Sequence, residues 1–194
     1  MASGIKYLDN EFDMKEYWDE KSVDKEFGDF NLDISNLKLG SLFPKTAPIN
    51  VDFVARKATP VINVEVADAA SASATDISVK KNHIAYIGIF LSNGTASAEV
   101  TGIDTSNGDY DILTISLGEA VAEGDILFET ENALSTDQKN KANALNYTAV
   151  KVEEGAVVTA VNEAKNIFVL AFPISEQDKE DLRNSGCLFR FTNK

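Results

Sequence analysis

Residues 84–117 have the sequence IAYIGIFLSNGTASAEVTGIDTSNGDYDILTISL, in which two Asn-Gly pairs stand between apolar runs. Asn93-Gly94 and Asn107-Gly108 favour the positive φ angles that a two-residue type I′ hairpin turn requires. Similar short apolar segments, separated by turn residues, fill the whole of residues 75–129. This part of the chain therefore predicts a series of short antiparallel β-hairpins.

Alternating apolar and polar residues predict strands on both sides of these hairpins. The predicted strands cover residues 49–53, 62–66, 77–79, 84–91, 98–104, 110–116, 126–129, 148–152, 157–161 and 167–172. Ser175 and Asp178 have the spacing of a helix N-terminus, and Gly186 stands where a helix C-terminus is expected. The predicted fold is mainly β: a small antiparallel β-sandwich or barrel with an extended acidic N-terminal arm and one short C-terminal helix.

Two prolines, Pro44 and Pro48, interrupt regular structure and suggest a boundary, because proline restricts its neighbour and lacks a backbone N–H. Three parts are predicted on this basis. Residues 1–48 form an acidic, aromatic anchoring arm, and residues 49–172 form the β domain. Residues 173–194 form a short helix and a terminal strand.

Aromatic side chains are frequent among the acidic residues of the arm, unlike in an ordinary disordered acidic tail. Such side chains bury large areas at interfaces, so the arm is a candidate docking segment. The alternative is a short helix over residues 14–27 that folds back on its own domain. The candidate docking residues are Phe12, Tyr17, Trp18, Phe27 and Phe30.

The composition disfavours several kinds of partner. The 194 residues have a formal net charge of −13. This charge repels nucleic acid and anionic membrane surfaces. The chain contains no run of about 18 apolar residues that would predict a membrane span, and its first residues do not resemble a secretory signal. We therefore expect neither nucleic acid nor a membrane as a partner.

Residues suited to catalysis are scarce. His83 is the only histidine and Cys187 the only cysteine. We expect His83 to be a surface or turn residue and Cys187 to be a buried thiol that acts as a small apolar side chain. Asp104, Asp109 and Asp111 surround Asn107-Gly108, but their spacing does not fit a calcium loop. We expect no catalytic, cofactor or metal site, and no enzymatic activity.

Five segments follow one another along residues 70–194: ATDISVKKNH, VTGIDTSNGDYDILTISLG, AVAEGDILFE, KANALNYTAVKVEEGAVVTAV and AFPISEQDKEDLRNSGCLFRF. In this order they resemble the head fiber or capsid decoration proteins of tailed bacteriophages. The resemblance implies a structural protein on the outer capsid surface of the virion, held to the major capsid protein by an N-terminal segment. It also implies a homotrimer, and the apolar strand Leu188–Phe191 would be easier to bury between subunits than alone. The alternative function is a β-sandwich module that binds cell-surface polysaccharide, so a host-surface glycan is a further candidate partner.

Overall fold

The computed structural model describes residues 16–192. Within this range the protein is mainly β, with several antiparallel sheets and one short helix, which confirms the predicted fold class. The strands are β1 (Asp24–Lys25), β2 (Phe30–Leu32), β3 (Leu42–Phe43), β4 (Pro48–Asp52), β5 (Lys57–Pro60), β6 (Asn63–Glu65), β7 (Asp76–Lys80), β8 (Phe90–Ser92), β9 (Ser97–Glu99), β10 (Gly102–Asp104), β11 (Tyr110–Thr114), β12 (Ile126–Thr130), β13 (Ala144–Asn146), β14 (Val150–Lys151), β15 (Val157–Val158), β16 (Ala160–Ile167) and β17 (Leu188–Phe191). Helix α1 (Glu176–Asn184) lies between β16 and β17.

The largest sheet closes into a small barrel. Its strands follow one another in the order β16, β13, β4, β5, β2 and β15. Because β15 and β16 are separated only by Thr159, the sheet starts and ends on one chain segment. All these pairs are antiparallel except β2 with β5. The interior is filled by buried apolar side chains that include Phe30, Ile49 and Val158.

The opposite face of β13 and β16 is covered from outside. Side chains alternate along a strand, so Ala144 and Ala160 point into the barrel while Leu145 and Val161 point outward. Helix α1 packs over these outward residues through Leu182. Strand β17 belongs to the same sheet and pairs in parallel with β16. The helix has nine residues, and the described part of the chain contains no helix that could cross a membrane.

Residues 63–130, which we call the inserted unit, form a second β structure between β5 and β13. One of its sheets has the order β10, β11, β7, and the other has the order β6, β12, β8, β9. An isolated bridge between Val66 and Val79 joins them. The side chains between the sheets, among them Leu91, Leu113 and Leu127, form a core separate from that of the barrel. The predicted single β domain thus contributes to three apolar clusters in the described residues: one inside the barrel, one on its outer face and one in the inserted unit.

Two sets of contacts connect the inserted unit to the barrel. Ile84 packs against the apolar cores of both. The buried carboxylate of Asp178 accepts hydrogen bonds from Asn63 Nδ2 at 2.6 Å and Gln138 Nε2 at 2.7 Å. Asn63 begins the inserted unit and Gln138 follows it, so α1 holds both ends of the insertion.

The predicted ends of the helix are confirmed. Ser175 is the N-cap: its hydroxyl accepts from Asp178 N–H, and the Asp178 carboxylate accepts in return from Ser175 N–H. Gly186, just past the C-terminus, has φ of +88°. Glycine adopts this left-handed conformation without steric cost, so it ends the helix.

Hairpins form at both Asn-Gly pairs, but the predicted type I′ turns are wrong. β8 and β9 pair through Ser92 and Ser97, which leaves a four-residue loop. Gly94 has a positive φ and Asn93 does not, whereas a type I′ turn needs both. Asn93 Oδ1 instead accepts from two later backbone N–H groups at 3.0 Å. The predicted strand over residues 84–91 is likewise mostly loop, and β8 begins at Phe90.

The N-terminal part of the described chain does not form a separate arm. β1 pairs with β16, β2 pairs with β5 and β15, and β3 pairs with β14. No helix is present over residues 16–27, the described part of the alternative helix. The boundary predicted at residue 48 therefore falls inside the barrel, because the alternation of Phe30, Asn31 and Leu32 completes its sheet.

Candidate functional site

The five candidate docking residues have different surroundings. Phe12 lies outside the described residues. Trp18 is 2% exposed and Phe30 is fully buried, so the protein's own cores use both. Tyr17 is partly buried against the cluster that contains Trp18. Phe27 alone among the described four is open to solvent, with 96% of its surface exposed.

Contacts around Tyr147 explain why Trp18 is buried. The indole Nε1 donates to the Tyr147 carbonyl at 3.2 Å, and the two rings stack at 6.4 Å. Lys25 Nζ lies 3.6 Å above the Tyr147 ring, and the Tyr147 hydroxyl donates to Glu20 at 2.7 Å. The aromatic and acidic residues of this segment therefore hold it on the barrel.

Phe27 belongs to an exposed apolar surface that the sequence did not predict. The β4–β5 turn places Val54 in solvent with 95% exposure and Phe53 with 47% exposure. Arg56, in the same turn, donates from Nη2 to the Phe27 carbonyl at 3.0 Å, so the two turns meet at one end of the barrel. We call Phe27, Phe53 and Val54 the apolar tip. Alternation correctly predicts β4, but it does not show which turns become neighbours when the barrel closes.

His83 was predicted to be a surface or turn residue. It follows the turn at Lys81-Asn82, but its side chain is only 7% exposed, so the surface prediction is wrong for its ring. Nε2 faces Asp111 Oδ2 at 3.3 Å, and both side chains are less than a tenth exposed. Nδ1 accepts from Ala85 N–H at 3.2 Å, so the neutral ring carries its proton on Nε2. Burial lowers the pKa of His83, and Asp111 only partly opposes this effect. Lys81 Nζ also binds Asp111, at 2.5 Å, and completes a compact charged group.

Two clefts border His83 where the inserted unit meets the barrel. The larger, of about 940 Å³, lies between residues 168–179 and the inserted unit, with Phe128 and Phe168 among its lining residues. The smaller, of about 580 Å³, lies against residues 35–41. Besides His83, the larger cleft is lined by two ion pairs, Lys80–Glu65 and Lys179–Glu176.

Cys187 is buried, as predicted. Its thiol donates to the Asn143 carbonyl at 3.1 Å. Burial, and secondarily the negative charge of Glu26, raise its pKa to about 11. Since the thiolate is the reactive form, this thiol is a poor nucleophile at neutral pH.

The aspartates around the second hairpin do not converge on one point. Asp104 Oδ1 accepts from Ser106 N–H at 2.9 Å, whereas Asp111 turns towards Lys81 and His83. Within residues 16–192, no group of three or more His, Cys, Asp or Glu side chains could hold a metal ion.

A comparison with protein-family models matches residues 5–187 to the family described as head fiber protein. The chain belongs to the head fiber protein family. It is therefore a structural protein of a bacteriophage virion. The match includes the N-terminal region, which the sequence segments quoted above did not cover. No curated protein and no solved structure matches the chain.

In this head fiber protein, a surface that binds a partner must consist of groups that face solvent. Two exposed apolar features stand out on the barrel. One is the apolar tip. The other is β17, which pairs only with β16 among the described strands and exposes Leu188, while Phe189 and Phe191 are partly buried.

Proposed function

We propose that this protein is carried on the outer surface of the capsid and attaches to the major capsid protein through its N-terminal region, residues 1–48. The observation that carries the proposal is the family match over residues 5–187. The fold supports it, because the barrel and the inserted unit each have a buried apolar core, as expected of a structural protein. Phe27 is exposed and available to a partner, whereas Trp18 and Phe30 are buried and stabilise the fold of the region.

The location can be tested on purified virions. Mass spectrometry should find the chain at many copies per particle, and antibodies raised against the inserted unit should label intact particles in electron micrographs. Absence of the chain from virions would contradict the proposal. Its presence without labelling of intact particles would place it inside the shell instead.

The proposal includes a non-enzymatic role that needs no cofactor. Two features of the described residues support it. His83 is enclosed by Asp111 and Lys81, and the raised pKa of Cys187 keeps its thiol protonated. Catalysis would need an accessible base or nucleophile.

The proposal also includes a homotrimer. Strand β17 offers an apolar, single-sided edge, and such an edge is protected when another subunit covers it. Analytical ultracentrifugation of the purified chain at micromolar concentration should give three times the monomer mass. A monomer under these conditions, and also on the particle, would exclude the trimer.

A further inference from the structure

We propose that the apolar tip, formed by Phe27, Phe53 and Val54, is the contact that binds the shell, and that its partner is a protein surface with an apolar socket bordered by Lys and Arg side chains. This inference rests on the proposed attachment to the major capsid protein. Within the proposed docking region it assigns the contact to Phe27, and it adds the β4–β5 turn that Arg56 joins to Phe27.

The first step of the argument is exposure. Phe27 and Val54 are 96% and 95% exposed. A large apolar side chain that stays exposed does not gain the free energy that its burial would supply. Single exposed apolar residues are ordinary, but a cluster at one end of a molecule is typical of an interaction site.

The second step is that the tip is held in a fixed shape. Arg56 packs over the Phe30 ring at 3.9 Å and donates to the carbonyls of Phe27 and Asp29 at 3.0 and 3.1 Å. The Phe53 ring meets Phe30 edge-on at 5.7 Å. Gly28 has φ of +78°, and a Cβ there would lie 2.6 Å from Arg56 Nη2. A larger residue at this position would be strained by the positive φ and would displace the Arg56 guanidinium from its place between the two turns.

The second turn is fixed as firmly. Asp52 Oδ1 accepts from the backbone N–H groups of Val54 and Ala55, both at 2.8 Å. A surface whose backbone is ordered before binding loses less conformational entropy when its partner arrives. The tip thus has the properties of an interface anchor rather than those of a loosely exposed loop.

The third step is that carboxylates adjoin the tip, which favours a partner with basic side chains. Glu26, Asp29 and Asp52 lie next to the tip residues in the sequence. The nearby cations have partners within the protein. Arg56 lies on the Phe30 ring and donates to the carbonyls of Phe27 and Asp29. Lys25 lies over the Tyr147 ring, and Lys57 pairs with Asp33 at 2.8 Å. A second copy of this chain would present the same carboxylates and be repelled, whereas a socket with a basic rim would be attracted.

The test uses the full-length chain and particles from a phage that lacks its gene. The double variant Phe27→Ser/Val54→Ser should bind these particles at least about tenfold more weakly than the natural chain, because truncating buried anchors commonly costs that factor. Leu134→Ser is the matched control, since Leu134 is 96% exposed but follows the inserted unit. The control should bind normally, and all three chains should have the same melting temperature.

The outcomes separate this inference from the function on which it rests. If the natural chain does not bind the particles, the proposed attachment fails and the inference falls with it. If the natural chain binds and the double variant binds equally well, the attachment stands and the apolar tip is not its contact. If the double variant loses self-association instead of particle binding, the partner is a second copy, which also overturns the inference.

Raising the ionic strength should slow association of the natural chain, since charge steers the encounter.

Discussion

The protonation of His83 links one buried side chain to the pH dependence of stability. Its ring stays neutral in the folded protein because burial lowers the pKa more than Asp111 raises it. Lys81 lies on the same segment as His83, and Lys38 lies across the smaller cleft. The larger cleft adds the charged residues Glu65, Lys80, Asp125, Glu176 and Lys179. In the unfolded chain a histidine takes up a proton at about pH 6.5. Below that pH the unfolded state binds more protons, so His83 destabilises the fold as the pH falls.

We expect His83→Gln to remove this contribution. The free energy of unfolding of the natural protein should fall more steeply between pH 7 and pH 5 than that of the variant, because only the natural protein must keep an imidazole neutral against a rising proton concentration. Urea denaturation at several pH values measures the difference. If the two proteins differed in free energy of unfolding by the same amount at pH 8 and at pH 5, the protonation of His83 would not be linked to folding.

The burial of His83 also shows where prediction from sequence stops at this scale. The residues beside it, Lys81 and Asn82, are polar and suggest a surface turn. Its enclosure depends on Asp111, which is distant in sequence, and on the loop between β2 and β3 across the smaller cleft. Local composition carries no information on contacts of that range.

Elements whose geometry is local were predicted well. The ends of α1 follow from Ser175, Asp178 and Gly186, because a capping box and a C-terminal glycine act within a few residues. The hairpin positions follow from Asn-Gly pairs for the same reason. The turn types were not predicted, since the register of β8 with β9 decides the loop length and depends on packing in the inserted unit.

Asp178 should contribute far more to stability than a helix cap alone. Besides the N-cap contacts, it accepts from Asn63 and Gln138 in a fully buried site. Asp178→Ala removes the acceptor of Gln138 Nε2 and one of the two acceptors of Asn63 Nδ2, which keeps only the Pro173 carbonyl. Each buried group that loses its partner costs about 1–3 kcal/mol. We expect a loss of about 3–5 kcal/mol in urea denaturation, against about 1 kcal/mol for Ser175→Ala.

A suitable control is Glu176→Ala on the same helix turn, because the Glu176 side chain is exposed and forms only a surface ion pair with Lys179. It should change stability by less than about 0.5 kcal/mol. Equal losses for Asp178→Ala and Ser175→Ala would mean that the contacts to Asn63 and Gln138 contribute nothing beyond capping.

At the scale of the whole molecule, the β class follows from strand patterns, but the division into barrel and inserted unit does not. Periodicity shows which face of a strand is apolar, not which core that face enters. Val51 and Val64 have the same pattern around them, yet Val51 lies in the barrel core and Val64 in the core of the inserted unit. The same limit applies to the apolar tip, whose two turns become neighbours only when the barrel closes.

The N-terminal region provides the sharpest test of this architecture. A domain boundary at Pro44–Pro48 would let a chain that lacks residues 1–43 fold by itself. The structure leads us to expect the opposite, because this deletion removes Trp18, Phe30, Leu32 and Phe43 from the apolar cores. Loss of each large buried side chain costs about 2–5 kcal/mol, and together they reach the whole stability of a typical domain, about 5–15 kcal/mol.

We therefore expect the chain without residues 1–43 to be unfolded or aggregated, with no cooperative thermal transition by circular dichroism. A chain without residues 1–15 is the matched control, since its deletion leaves every contact described for residues 16–192 in place, and it should melt near the temperature of the full chain. This control has a second use: if it folds yet no longer binds particles, attachment depends on residues 1–15 rather than on the apolar tip. If the chain without residues 1–43 unfolded cooperatively at the melting temperature of the full chain, β1, β2 and β3 would be dispensable. The barrel would then not be the closed unit that the strand order describes.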